Sequence, residues 1–120
     1  MNRINKFFRI AKLVAKTGDC NEANRQYRLG AVGVRTDGTI VASSNIPTRR
    51  PNGAAHAEYR VCKKLDKGSI IYVVRIDREN GLRLARPCKK CLSFMRNSGI
   101  KRCYYSISEV NGLEYGVLEL

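Results

Sequence analysis

The chain has 120 residues and carries 23 Lys and Arg against 10 Asp and Glu, a formal net charge of +13. This length predicts one domain, residues 1–120, with a modest core and no room for a separate targeting or substrate-binding module. The charge favours an anionic partner, such as a phosphorylated substrate or a nucleic acid, and does not distinguish between the two.

A first helix is predicted over residues 5–16, because apolar and basic side chains fall on opposite sides of a helical wheel. The apolar set consists of Ile4, Phe7, Phe8, Ala11, Val14 and Ala15. The basic set consists of Arg3, Lys6, Arg9, Lys12 and Lys16. So many charges exclude a signal-peptide core and a membrane span in this segment, and we expect a cytoplasmic protein that does not bind membranes.

Two short apolar runs follow, at residues 29–35 and 39–44. The pair Asp37-Gly38 joins them and is typical of a tight hairpin between antiparallel strands. We therefore predict strands one and two here. A stretch rich in Pro and Asn, residues 45–53, reads as a loop that leads directly into the next helix.

That second helix is predicted over residues 54–65, with Gly68 just beyond its end. Residues 69–76 are nearly continuously apolar and rich in β-branched side chains, as a central strand buried on both faces should be. Pro87 suits a helix start, so a third helix is predicted over residues 88–97.

The last two strands are predicted at residues 101–107 and 113–120, with a turn at Asn111-Gly112 between them. This connection is too short for a helical crossover, so the two strands should be antiparallel. Strands that alternate with helices predict a three-layer α/β domain, with a mixed five-stranded sheet and helices on both of its faces.

Four residues suited to a metal site fall at the predicted starts of the last two helices: His56, Glu58, Cys88 and Cys91. Cys88 and Cys91 are three apart and therefore lie on one helix face. His56 and Glu58 are only two apart, so both must lie in a first turn. Both helices follow strands, and their starts should meet at the carboxyl edge of the sheet.

The number of ligands favours a catalytic zinc site. His56, Cys88 and Cys91 supply three ligands, and a catalytic site leaves the fourth position to water whereas a structural site closes with a fourth residue. Cys62 is badly placed for that role, six residues from His56 on the same helix. A redox C-x-x-C would not need the His-x-Glu. Zinc would activate water, and Glu58 would move protons to a ring nitrogen and a leaving amine.

The motifs His56-Ala57-Glu58 and Pro87-Cys88-Lys89-Lys90-Cys91 resemble those of the zinc-dependent cytidine and deoxycytidylate deaminase superfamily. The order of helices and strands over nearly the whole chain is similar to the core of that superfamily. The resemblance implies one Zn²⁺ per chain, held by His56, Cys88 and Cys91, with Glu58 as the proton shuttle. It also implies a homo-oligomer, because members of similar size often complete their active sites with a neighbouring subunit.

The same resemblance implies that Asn45 contacts the sugar, and Ala57 in the His motif is a further candidate for substrate contact. Arg49 and Arg50 either contact a substrate phosphate or lie in a solvated loop. The loop that holds Arg49 and Arg50 is similar to that of tRNA adenosine deaminases. The short C-terminal connection is instead similar to that of deaminases acting on free cytidine. The subfamily therefore stays open at this point.

Three functions are compatible with these motifs and this charge. The first is hydrolysis of the C4 amine of a cytosine nucleoside or nucleotide to give the uracil product and ammonia. The second is deamination of cytosine or adenine in single-stranded RNA or DNA, including tRNA adenosine, which the +13 charge favours. The third is a zinc-containing nucleic-acid-binding domain without catalysis, and Glu58 argues against it. The other cysteines, Cys20, Cys62 and Cys103, are expected to be ordinary thiols that pack as small hydrophobes.

Overall fold

The computed structural model describes residues 3–17, 28–44 and 57–120, and for Glu58 and Tyr59 it describes the backbone. Within these ranges the chain forms three helices and six strands, none of the helices being long and apolar enough to span a membrane. In chain order they are α1 (Arg3–Lys16), β1 (Arg28–Val34), β2 (Ile40–Ser44), α2 (Ala57–Cys62), β3 (Ile70–Ile76), β4 (Leu82–Arg83), α3 (Lys89–Asn97), β5 (Arg102–Ser108) and β6 (Glu114–Glu119).

The strands form one mixed sheet in the order β2-β1-β3-β5-β6. β3 lies at its centre, antiparallel to β1 and parallel to β5. β5 pairs with β6 in the antiparallel direction, which confirms the prediction made from the short C-terminal connection. The predicted hairpin is also confirmed, because β1 and β2 pair antiparallel on either side of the turn at Asp37 and Gly38.

One face of the sheet packs against α1. Its core consists of Phe7, Phe8, Ala11, Ala15, Val32, Tyr72, Val74, Ile76, Leu82 and Tyr104. The apolar helix side and every second residue of β1 and β3 meet here, as the two periodicities require. The rings of Tyr72 and Tyr104 stack with their centroids 4.8 Å apart, so both tyrosines fill core positions.

Gly30 allows α1 to lie directly on β1. A Cβ at this position would overlap the Ala11 carbonyl oxygen and lie 2.7 Å from the Ala15 backbone nitrogen. Both are backbone atoms of a helix and cannot rotate away. The close contact of helix and strand therefore depends on the missing side chain.

Gly30→Ala is accordingly expected to lower the free energy of unfolding by about 1–3 kcal/mol, the usual cost of overpacking. Equilibrium urea unfolding would measure it. Gly81→Ala is a matched control, because the added Cβ would lie 3.4 Å from the nearest atom, an ordinary contact with the Asp77 carboxylate. Equal stability of the two variants would contradict the tight α1–β1 contact.

The opposite face of the sheet packs against α2 and α3. Its core consists of Ala31, Ala57, Val61, Cys62, Ile71, Val73, Ala85, Cys91, Met95, Ile100 and Cys103. Helices thus cover both faces, and the predicted three layers are confirmed. Cys62 and Cys103 are both buried, as expected of thiols that pack in a core. Cys20 lies outside the described residues.

Two details of the predicted fold are wrong. The sheet has six strands rather than five, because Leu82 and Arg83 form β4 and pair with Ile76 and Arg75 at the end of β3. The helix α2 ends at Cys62 rather than at residue 65. Leu65 still packs against the core, but it does so from a turn in which its N–H bonds to the Cys62 carbonyl oxygen at 3.1 Å.

Asp66 ties the segment after α2 to the β1–β2 hairpin. Its carboxylate accepts hydrogen bonds from the Ser69 hydroxyl, the Thr36 hydroxyl at 2.5 Å and the Thr36 N–H at 3.2 Å. These bonds favour the ionised carboxylate. Hydrogen bonding from Ser69, followed by that from Thr36, lowers the pKa of Asp66 from 3.8 to about 2.

The Asp66 contacts predict a loss of stability in acid. The folded pKa of about 2 is below the unfolded value of 3.8, so the stabilisation is fully present above about pH 4 and is lost as the pH falls toward 2. The difference in free energy of unfolding between the wild type and Asp66→Asn should therefore shrink across this window. Urea unfolding at a series of pH values would test it, and a difference independent of pH would contradict it.

Candidate active site

The start of α3 carries both cysteines of the C-x-x-C motif. Cys88 is the N-cap residue, with an extended backbone (φ −70°, ψ 169°), and it is exposed. Cys91 lies one turn later and is only 2% exposed. The Leu92 N–H bonds to the Cys88 carbonyl oxygen at 2.9 Å and closes the turn between them. The two thiols therefore share one helical turn, where the helix dipole favours thiolate.

The described part of α2 begins at Ala57, with Glu58 following it in the first turn. Ala57 is fully buried in the same core cluster as Cys91. The Arg60 guanidinium donates a hydrogen bond of 2.7 Å to the carbonyl oxygen of Ser44, the last residue of β2. This bond holds the beginning of α2 against the end of the strand that precedes it.

Both helices start at the same edge of the sheet. Ser44 pairs with Gly30, and Gly30 pairs with Val74, so β2 and β3 end at the same level. At the other edge, the segments that follow α2 and α3 meet where the Gly68 N–H bonds to the Gly99 carbonyl oxygen at 2.8 Å. The helices therefore run side by side in one direction, and their starts lie at the carboxyl edge, as predicted.

Ser106 supports the approach of the chain to α3. This residue is fully buried on β5, and its hydroxyl donates a 2.7 Å hydrogen bond to the Arg83 carbonyl oxygen. Its own carbonyl oxygen accepts the Ala85 N–H at 2.9 Å. The segment before Pro87 is therefore attached to β5 at two points, and this attachment places Cys88.

Charges of both signs lie at this edge of the sheet. Arg75 is half-buried near the end of β3, and strand alternation puts it on the same face as Val73, the face that packs against α2 and α3. Asp77 follows β3 at this edge, and its pKa is lowered by a hydrogen bond from the Gly81 N–H and then by one from Arg83. Glu109 follows β5 at the same edge and accepts hydrogen bonds from Lys12 Nζ at 2.7 Å and from the Leu82 N–H at 3.0 Å. No acidic residue lies in the first turn of α3.

The structure thus brings together Ala57, the Glu58 backbone, Cys88 and Cys91. The predicted residues His56, Asn45, Arg49 and Arg50 lie outside the described residues. Within the described ranges no group of three His, Cys, Asp or Glu residues is assembled. Two thiols on one helical turn, one of them in the core, fit the Cys part of a His-Cys-Cys zinc site.

Sequence reasoning missed Arg60 and Ser106. Each acts through a hydrogen bond from its side chain to a backbone carbonyl of a residue many positions away, Ser44 and Arg83 respectively. Such bonds leave no periodic pattern in a sequence. Only the serine gave a weak signal, as a small polar residue inside the apolar run of β5.

The chain is similar to known proteins in sequence motif and in fold. A family model described as the cytidine and deoxycytidylate deaminase zinc-binding region matches residues 1–107. The structure of cytidine deaminase from Burkholderia pseudomallei is similar, with a TM-score of 0.70 and 18% identity over 99% of this chain and 93% of that chain. Cytidine deaminase from Mycobacterium leprae gives a TM-score of 0.62 and 15% identity over 96% and 94%.

Cytidine deaminase from Mycobacterium tuberculosis gives a TM-score of 0.57 and 15% identity over 95% of this chain and 90% of that chain. No curated protein sequence matches. Identities this low establish the fold alone, whereas the family match spans most of the chain and includes both motifs. The chain therefore belongs to the family of the cytidine and deoxycytidylate deaminase zinc-binding region, and it has the cytidine-deaminase-like three-layer fold.

Proposed function

We propose that this protein catalyses the zinc-dependent hydrolytic deamination of cytosine in a small nucleoside or nucleotide. Water replaces the C4 amine, and the products are the uracil compound and ammonia. The observation that carries the proposal is the meeting of two helix starts at one sheet edge: Cys88 and Cys91 on α3, and Ala57-Glu58 on α2. Membership of the deaminase family supports the same reaction.

In this proposal His56, Cys88 and Cys91 hold one zinc ion per chain. Zinc bound there would supply an activated water, with a pKa lowered toward about 7. Glu58 accepts a proton from the attacking water and delivers protons to the ring nitrogen and to the leaving amine. The Arg60 bond to Ser44 supports this role, because it fixes the first turn of α2, which carries Glu58.

The remaining assignments concern substrate and assembly. Asn45 would contact the sugar, and Ala57, Arg49 and Arg50 would line the substrate site. We further propose a cytoplasmic homo-oligomer whose neighbouring subunit completes the site. No described contact favours a nucleic-acid substrate over a small one, so deamination of RNA or DNA is not proposed.

The test is a substrate comparison with zinc-loaded protein. Cytidine, deoxycytidine, CMP, dCMP and a mixed single-stranded oligonucleotide would be incubated separately, and base identity would be followed by mass. We expect conversion of a cytosine nucleoside or nucleotide, and no conversion by chelator-treated protein. Conversion of the oligonucleotide alone, or of adenine alone, would contradict the proposal.

A further inference from the structure

The segment of the sequence around the C-x-x-C motif contains no acidic residue. Between residues 80 and 108 there is no Asp or Glu, although the chain has 10 elsewhere. The same segment contains seven basic residues: Arg83, Arg86, Lys89, Lys90, Arg96, Lys101 and Arg102. A large part of the net charge of +13 is therefore concentrated in the chain that builds α3 and its surroundings.

These seven residues differ in what they contact. Arg83 forms an ion pair with Asp77 at 2.9 Å, and Arg102 forms one with Glu119 at 2.6 Å. Arg86, Lys89 and Lys90 are exposed and form no ion pair within the described residues. We call these three residues the basic rim. They lie within two positions of Cys88, at the carboxyl edge of the sheet.

Stability of the helix does not explain the basic rim. Lys89 and Lys90 are the first two residues of α3, where the helix dipole disfavours positive charge, and no acidic side chain in that turn offsets them. Arg96, by contrast, lies in the last turn, where a cation is favoured. Residues that break a local rule in this way often serve a functional site.

We infer that the basic rim binds the phosphate of the substrate, so that this deaminase acts on a cytosine mononucleotide in preference to the nucleoside. The inference rests on the proposed function. Lys89 and Lys90 follow Cys88 in the chain, and each carries a compact positive charge on a long flexible side chain, which suits it to bind a phosphate. Arg86, on the other side of Pro87, adds a third donor group.

The placement of the other cations favours a mononucleotide over a polynucleotide. The exposed basic residues of α1, Arg3, Lys6, Arg9 and Lys16, lie on the helix that packs against the opposite face of the sheet. They are therefore separated from the basic rim by the thickness of the sheet. Proteins that bind single strands need a charged groove that follows the backbone over several nucleotides.

The test compares two variants that each remove two charges from the same part of the chain. Lys89→Gln/Lys90→Gln removes charge from the basic rim. Arg96→Gln/Lys101→Gln removes it from the far end of α3, about 10 Å away along the helix axis. We expect the ratio of kcat/KM for CMP to that for cytidine to fall about tenfold in the rim variant, which corresponds to about 1.4 kcal/mol, and to stay unchanged in the control.

Salt and folding provide two further readouts. The KM of the wild type for CMP should rise with ionic strength more steeply than that of the rim variant, because salt screens exposed charges. The rim variant should unfold at no lower temperature than the wild type, since it loses two cations that the helix dipole disfavours. The inference would be overturned if the ratio of kcat/KM for CMP to that for cytidine fell equally in both variants. It would also be overturned if the wild type showed no preference for CMP over cytidine.

The inference and the proposed function fail in different ways. If zinc-loaded protein deaminates no cytosine compound, the proposed function is wrong, and calorimetric binding of CMP and cytidine then tests the phosphate contact directly. If CMP binds no more tightly than cytidine, the inferred phosphate contact is wrong. A single-stranded oligonucleotide deaminated or bound in preference to CMP would also overturn it, in favour of a polymeric substrate.

Discussion

Replacing Glu58 with Gln is expected to lower kcat by about 10²–10⁴-fold while zinc stays bound, because positioned acid–base groups contribute about this much to proton transfer. Gln has nearly the same shape and cannot act as a general acid or base at neutral pH. The helix α2 should fold as before, since its buried contacts come from Ala57, Val61 and Cys62. Steady-state deamination and zinc content by elemental analysis would be measured together.

Glu114→Gln is the matched control for this experiment. It makes the same chemical change at an exposed position on the edge strand β6, which contributes no residue to the candidate site, and should keep wild-type kcat. A Glu58→Gln variant that binds zinc and turns over at the wild-type rate would show that another group moves the proton. Loss of zinc from that variant would instead show that Glu58 belongs to the ligand set.

Replacing Cys91 with Ala is expected to abolish tight zinc binding. Loss of a residue that merely orients a metal ligand costs about 10–100-fold in affinity, and loss of the ligand itself should cost more. Zinc that binds only the folded state raises the unfolding free energy, by about 2.7 kcal/mol at a free concentration one hundred times the dissociation constant. The variant should therefore lose the zinc-dependent increase in melting temperature, which calorimetry with and without zinc would show.

Cys103→Ala controls for the loss of a buried thiol. Cys103 is fully buried in the same core cluster as Cys91, so both substitutions remove a sulfur from the same interior. The control should lose some stability yet keep zinc affinity, as measured by competition with a chromophoric chelator. Equal loss of zinc affinity in both variants would mean that core packing, rather than ligation, explains the effect at Cys91.

Periodic features of the fold were accessible from the sequence. The amphipathic pattern of α1, the apolar run of β3 and the turn signal at Asp37 and Gly38 each repeat a simple rule over several residues. The strand β4 escaped prediction because its two residues are too few to show alternation. The end of α2 was placed too late because Leu65 packs in the core without being helical.

Some residues of the candidate site could likewise be predicted from the sequence, and others could not. The motif residues could be found from their spacing, and the topology of the sheet then brought Cys88 near the start of α2. The groups that hold this arrangement, Arg60 and Ser106, bond to carbonyl oxygens of distant strands. Their partners are determined by tertiary structure, so no local pattern could identify them.

The two attachments that Ser106 makes have a consequence for protein engineering. The position of the cysteine pair is set partly by a serine on β5, a strand that follows α3 in the chain. Transplanting the five residues Pro87 to Cys91 onto another helix start would transfer the two thiols without the Ser106 hydrogen bonds that position them. A graft that aims to keep the geometry of the thiols must also carry β4 and the segment of β5 that contains Ser106.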